Sequence, residues 1–157
     1  MATTNSSSPF TKTAVEHPVG PPLIGALLRM PWDAVQRRML ERLRERGFAD
    51  LDAAHLNVFQ YPGPQGARPS ELAARLRISK QALNYLLGEL ERLGYLKRRP
   101  DPDDLRSKRV SLTPRGASAI TVIREAVAEM ELTWAQQLGP KRFAQLRTLL
   151  LDLNEPV

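Results

Sequence analysis

The 157-residue chain is 42% hydrophobic and 25% charged, with a formal charge of +6, a balance suited to one globular domain with extra helices for pairing. It has no cysteine, which excludes disulfide frameworks, thiolate zinc sites and thiol redox sensing. No apolar run approaches the ~20 residues of a membrane-spanning helix. The two histidines, His17 and His55, stand far apart with no ligand spacing, so neither a metal site nor a cofactor is expected.

Residues 1–20 are rich in Ser, Thr and Pro and lack periodicity and the apolar centre of a secretory signal, so a disordered tail is expected there. From residue 23 to about 46, Leu28, Trp32, Val35, Met39 and Leu43 recur at helical spacing. Pro31 is expected to kink or restart that helix. Its other face carries Arg37, Arg38, Arg42, Arg44 and Arg46, and Gly47 is a suitable stop. Asp52 is placed to cap a second helix running to about residue 61 with Leu56 and Phe59 inward, after which YPGPQG breaks the chain.

Pro69 opens a short helix with Leu72, Ala73 and Leu76 on one side. Ser79 then caps a longer helix in which Leu83, Leu86, Leu90 and Leu93 form the expected buried stripe. Gln81, Asn84, Tyr85, Gly88 and Arg92 fall on its opposite face. A glycine inside a helix costs about 1 kcal/mol relative to alanine, so Gly88 asks for an explanation. Close approach of a backbone or partner is one, tolerance on a surface the other. Gly94 ends the helix. Residues 95–99 and 108–112 alternate as an antiparallel pair would, with the turn-forming PDPDDLRS between them. Thr113-Pro114 opens a helix to about residue 138 carrying Ile120, Ile123, Val127, Met130 and Trp134, and Gly139-Pro140 breaks it. A last helix carries Phe143, Leu146, Leu150 and Leu153 on one stripe.

Charge is not spread evenly along this order. Residues 69–116 hold eleven Lys or Arg against six acids, an excess of five out of the total of six. A basic excess in one module is the footprint of a polyanion binder, with a merely soluble basic surface as the bland alternative.

Residues 51–116 resemble the MarR family of bacterial transcriptional regulators. The resemblance is carried by Glu71-Leu72-Ala73, Ser79, Leu90, Gly94 and Leu96. It continues through the wing pattern Asp101-Pro102, Asp104, Arg106, Val110, Leu112-Thr113 and Gly116. With the flanking helices it extends over roughly residues 22–155. It implies a mainly α (α+β) fold: a winged helix-turn-helix at 49–116 between dimerisation helices at 21–48 and 117–157. The implied function is a cytoplasmic, homodimeric repressor that binds palindromic double-stranded DNA and is relieved by a small aromatic or phenolic ligand. Three departures stand out: Arg68 where the family places a Ser or Thr cap, Asn84-Tyr85 where it often has Thr-Arg, and a proline-rich YPGPQGAR connection.

Within that frame Gln81 and Asn84 can pair with adenine edges, and Tyr85 can reach a phosphate or a thymine methyl. Ser79 and Lys80 sit where helix N–H groups favour a phosphate. The resemblance sends Arg106 into the minor groove with Asp104 paired to it, against the plain alternative of a surface turn holding a solvated ion pair. Arg98, Arg99, Lys108 and Arg109 are expected on phosphates. By the resemblance Trp32, His55, Phe59 and Trp134 are candidate ligand residues, with a core or interface role as the weightier alternative. Leu28, Val35, Ile123, Val127, Met130, Phe143, Leu146 and Leu150 are the expected dimerisation set, because the terminal helices carry more apolar surface than a small reading module can cover. A winged helix used only for protein contacts is the competing function. No catalytic set or phosphate loop appears, and the spacing of Asp101, Asp103 and Asp104 is not that of an EF-hand.

Overall fold

The computed structural model describes residues 22–59 and 66–154, apart from the side chain of Leu105. The tail expected at 1–20 and most of the YPGPQG break lie outside them. The described elements run α1 (Ile24–Glu45), α2 (Ala53–Phe59), α3 (Pro69–Leu76), α4 (Lys80–Arg92), β1 (Leu96–Asp101), β2 (Asp104–Leu112), α5 (Pro114–Leu138) and α6 (Pro140–Asn154). Six helices and one two-stranded antiparallel sheet make the mainly α winged helix expected from the sequence.

In α1 the four-residue spacing of Val35, Met39 and Leu43 gives one buried stripe, laid across α5. The helix runs unbroken through Pro31 rather than restarting there. Pro31 lies in an exposed part of the helix where Leu27 is half open to solvent, so water can satisfy the carbonyl that loses its N–H partner. On the flank of the stripe, Arg38 and Arg42 both donate to Glu129 of α5, each through an Nη2 at 2.6 Å. These two guanidiniums hold the Glu129 carboxyl below its ordinary range.

The start of α2 is capped as expected, Asp52 Oδ1 accepting from the Ala54 and His55 N–H groups. In α4 the buried stripe is Leu83, Leu87 and Leu90, with Leu86 and Leu93 only half-buried. Both candidate stripes have helical spacing, and the orientation of α4 on its neighbours selects the one through Leu87. In α5 the most deeply buried positions are likewise the small ones, Ala119, Val122 and Ala126. Ile120, Ile123, Val127, Met130 and Trp134 flank them, because small residues let α1 approach closely.

Tyr95, with no exposed surface, joins three parts of the chain. Its hydroxyl donates to Asp50 in the loop before α2, and Arg115 at the head of α5 donates to that hydroxyl at 3.0 Å and to Asp50 at 2.9 Å. Burial, then the hydrogen bond to Asp50, pushes the Tyr95 hydroxyl up to about 12. Thr113 caps α5, accepting from the Gly116 N–H, and its hydroxyl donates to the Gly94 carbonyl at 2.6 Å. Gly116 is required here by close approach, since a Cβ would stand 2.2 Å from the Tyr95 carbonyl oxygen.

Replacing Gly116 by alanine must therefore displace backbone. Gly116→Ala is expected to lower stability by roughly 1–3 kcal/mol or more, read as a reduced urea midpoint. An unchanged midpoint would contradict the close approach.

Candidate nucleic-acid interface

α3 ends at Arg77, which takes the left-handed conformation (φ 53°) and turns the chain into α4. Ser79 caps α4, its Oγ accepting from the Ala82 N–H at 3.1 Å. With Leu83, Leu87 and Leu90 facing the core, Lys80, Gln81, Asn84, Tyr85, Gly88 and Arg92 are all exposed. Tyr85 is 66% exposed, a large aromatic face that the fold itself leaves uncovered. A helix displaying a lysine, two carboxamides and a phenol has the donors and acceptors that base edges and phosphates accept.

Behind α4 the two strands pair in register from Leu96 opposite Leu112 to Pro100 opposite Lys108, and after an irregularity between Pro100 and Asp101 the pairing ends with Asp101 opposite Asp104. Both are longer than the sequence pattern suggested, and only Pro102 and Asp103 remain as the turn. The cause is Asp101, a fully buried carboxylate. Its Oδ1 accepts from the Asp103 N–H at 3.0 Å, which closes the turn. Its Oδ2 accepts from Arg68 Nε at 2.6 Å and from the Ser107 hydroxyl at 3.3 Å. Arg109 Nε lies 3.1 Å from Oδ1. The Arg68 guanidinium, helped by the Asp103 N–H and by Arg109, holds this carboxyl well below the usual carboxylate range.

Arg68 stands at the head of α3, where Glu71 accepts its backbone N–H at 3.2 Å. A guanidinium has no acceptor with which to cap the helix in return. The departure at Arg68 thus gives up half of a capping box and ties the head of α3 to the base of the wing.

The expected Asp104–Arg106 side-chain pair is not formed. Asp104 Oδ1 accepts the Arg106 backbone N–H at 3.0 Å, and the Arg106 side chain is exposed with no carboxylate partner among the described residues. Arg98 and Arg109 are half-buried and internally paired, Arg98 with Glu91 at 3.1 Å and Arg109 with Asp101 and Asp103. Their charge is partly spent within the fold. Lys80, Arg99, Arg106 and Lys108 are exposed and, among the described residues, unpaired. The expectation of Asp104 as the structural acid missed Asp101 because both fit the same turn pattern, and only burial distinguishes them.

A second feature lies between α1, α2 and α5. A cleft of about 550 Å³ is lined by Trp32, Phe59, Ile123, Val127 and Trp134 among others. It brings together three of the four candidate ligand residues. The fourth, His55, is buried elsewhere: its Nδ1 accepts the Asp52 N–H at 3.2 Å and its Nε2 faces Glu89.

The MarR family model matches residues 50–107, from the loop before α2 through most of the wing. Over that segment the chain is similar to the MarR family. The curated relatives it matches are named as HTH-type transcriptional regulators. The uncharacterized HTH-type transcriptional regulator YkoM of Bacillus subtilis (strain 168) is 31% identical over 83 residues, 53% of each chain. The chain spans about half the length of the curated relatives it matches. The crystal structure of wild-type MarR (apo form) from E. coli is 25% identical with a TM-score of 0.67, over 87% of this chain and 99% of that one. A crystal structure of the S. aureus MepR–DNA complex shares the fold at 22% identity and a TM-score of 0.68, over 85% and 97%. Among the described residues no helix is long and apolar enough to cross a membrane.

A group whose folded pKa is depressed stabilises the fold fully above its unfolded pKa, near ~4 for aspartate, and loses that contribution as pH falls toward the folded value. Asp101→Asn is therefore expected to lower the melting temperature at neutral pH. It should also flatten part of the loss of stability expected of the wild type as pH drops below about 4. Thermal melts across an acid pH series read both, and parallel curves for the two proteins would refute the assignment.

Proposed function

We propose that the chain is a sequence-specific double-stranded DNA-binding transcriptional regulator that works as a homodimer in the cytoplasm. The observation that carries this reading is the outward face of α4 together with the unpaired cations of α4 and the wing. Gln81, Asn84 and Tyr85 offer base contacts in the major groove, Lys80 and Ser79 a phosphate site at the helix head, and Arg106 a probe for the minor groove. Arg99 and Lys108 fit phosphates better than Arg98 and Arg109, whose partners lie within the fold. That the S. aureus neighbour was captured as a DNA complex supports the same use of this fold.

Pairing is supported by apolar surface that one copy leaves open. Leu23, Ile24, Leu27 and Leu28 at the start of α1 are exposed, as are Leu149 and Leu153 on α6, and α6 has no buried residue at all. Leu28 and Leu146 fit a dimerisation role directly, and Phe143 and Leu150 are half-buried beside them. Val35 does not, because it is buried in the core of its own chain. Ile123, Val127 and Met130 pack against that core, the first two lining the cleft. A pair of copies sets two α4 helices at a fixed separation, which suits a palindromic operator.

The cleft is the place for a relieving ligand, and its aromatic lining fits a small aromatic or phenolic compound. A winged helix serving only protein contacts would show neither duplex preference nor a steep fall of affinity with salt.

Selection of bound sites from random duplexes is expected to return a palindrome, and a pool with no enrichment would defeat the reading. Arg106→Ala is expected to weaken binding to the selected site more than tenfold with the dimer intact by size-exclusion chromatography. Unchanged affinity at moderate salt would remove Arg106 from the interface. Both tryptophans of the chain line the cleft, so a relieving ligand should change tryptophan emission over the concentrations at which it releases DNA. Release without any change in emission would place the ligand elsewhere.

A further inference from the structure

Gly88 is the ninth of the thirteen residues of α4, and nothing in the fold requires a glycine there. A Cβ built at this position meets no atom within 4 Å, and its φ lies outside the left-handed range. The other described glycines have reasons of their own. Gly47, Gly66, Gly94 and Gly139 take positive φ, and Gly116 is pressed against the Tyr95 carbonyl. Gly25 sits in the exposed first turn of α1, where helix propensity counts for little. Among the described residues Gly88 alone occupies a helix interior without an intramolecular cause, and helix propensity disfavours it.

Its position is informative. Gly88 lies one turn beyond Asn84 and Tyr85 and two beyond Gln81, on the same exposed face. Arg92 follows one turn later. A helix with its side chains is about 10–12 Å across and the major groove about 12 Å wide, so a helix fills the groove with little clearance. Recognition helices meet base edges with their N-terminal residues. A residue roughly 4–10 Å further along the axis comes where the helix passes the sugar–phosphate wall.

We propose that Gly88 is the point of closest approach between α4 and the duplex. The bare helix backbone packs against the groove wall there, and this contact sets how deeply Gln81, Asn84 and Tyr85 reach. The inference rests on the DNA-binding reading above. It makes Gly88 a positioning residue that acts by what it lacks, with Arg92 available to a phosphate just beyond.

The test uses the full chain and the duplex selected by the wild type, with two variants, fluorescence anisotropy and thermal melts. Gly88→Ala should raise the melting temperature by about 2–4 °C, since alanine is the better helix former, and yet weaken duplex binding about tenfold. Gly88→Lys should weaken it further in spite of its added positive charge. Two binding results would overturn the proposal. One is Gly88→Ala binding within twofold of the wild type. The other is Gly88→Lys binding more tightly with a salt dependence steeper by about one ion, since the site would then be open. A lowered melting temperature for Gly88→Ala would also overturn it, by revealing a reason within the fold. Failure of the wild type to prefer any duplex would instead sink the DNA-binding reading itself, and that measurement comes first.

Discussion

A single buried carboxylate governs the geometry of the wing and its junction with α3 in this protein. Asp101 has no exposed surface, and an ionised group in that position is tolerable only when its oxygens are fully engaged. Two guanidiniums, a hydroxyl and a backbone N–H engage them, drawn from the head of α3, from β2 and from the turn itself. The wing cannot open, nor the head of α3 swing away, without leaving that charge uncompensated. Exposed side chains at the wing, Arg106 above all, thus stand on a base that is stiff for an electrostatic reason rather than an apolar one.

The core beneath α4 makes the complementary argument. Leu83, Leu87, Leu90 and Tyr95 are fully or almost fully buried, which fixes the rotation of α4 about its own axis. Once that rotation is fixed, the identity of the outward residues follows without further choice. Tyr95 adds the second anchor, since its hydroxyl, Asp50 and Arg115 link the end of α4 to the loop before α2 and to the head of α5. Arg115 also lies over the Tyr95 ring at 4.7 Å. One of the eleven cations in the basic module is thereby used for fastening, as Arg98 and Arg109 are, so the charge available to a polyanion is smaller than the sequence count suggests.

What could be read from the sequence was whatever depends on local pattern. The caps at Asp52, Ser79 and Thr113, the helix breaks at Gly94 and Gly139, and the outward set on α4 are all short-range, and the structure places them as the spacing implied. What could not be read depends on which of two equivalent local choices the tertiary packing takes. Leu86 and Leu87 both continue a helical stripe with Leu83 and Leu90, and the packing takes Leu87. Asp101 and Asp104 both fit the wing turn, and what distinguishes Asp101 is burial against partners that include Arg68, thirty-three residues away. His55 is a ligand candidate by the resemblance, but its Nδ1 is committed to the start of α2. The spacing of α5 points to its large residues as the stripe, whereas close helix contact buries the small ones beside them.

The cleft between α1, α2 and α5 brings these threads together. Its walls join the helices proposed for pairing to Phe59, the last described residue of a helix that packs against α4. In the proposed dimer, a ligand that fits the cleft equally well whatever the separation of the two α4 helices would change nothing, however tightly it bound. To act, it must prefer one arrangement of α1 against α5, and the forked pairing of Arg38 and Arg42 with Glu129 on the flank of that contact resists such a shift. The ion pairs are half-exposed, so they are weak enough to be rearranged and still hold a resting geometry. In the proposed DNA-binding dimer, a hinge of that kind, set between an apolar cleft and a stiff wing, would let a small change in helix packing become a change in half-site spacing.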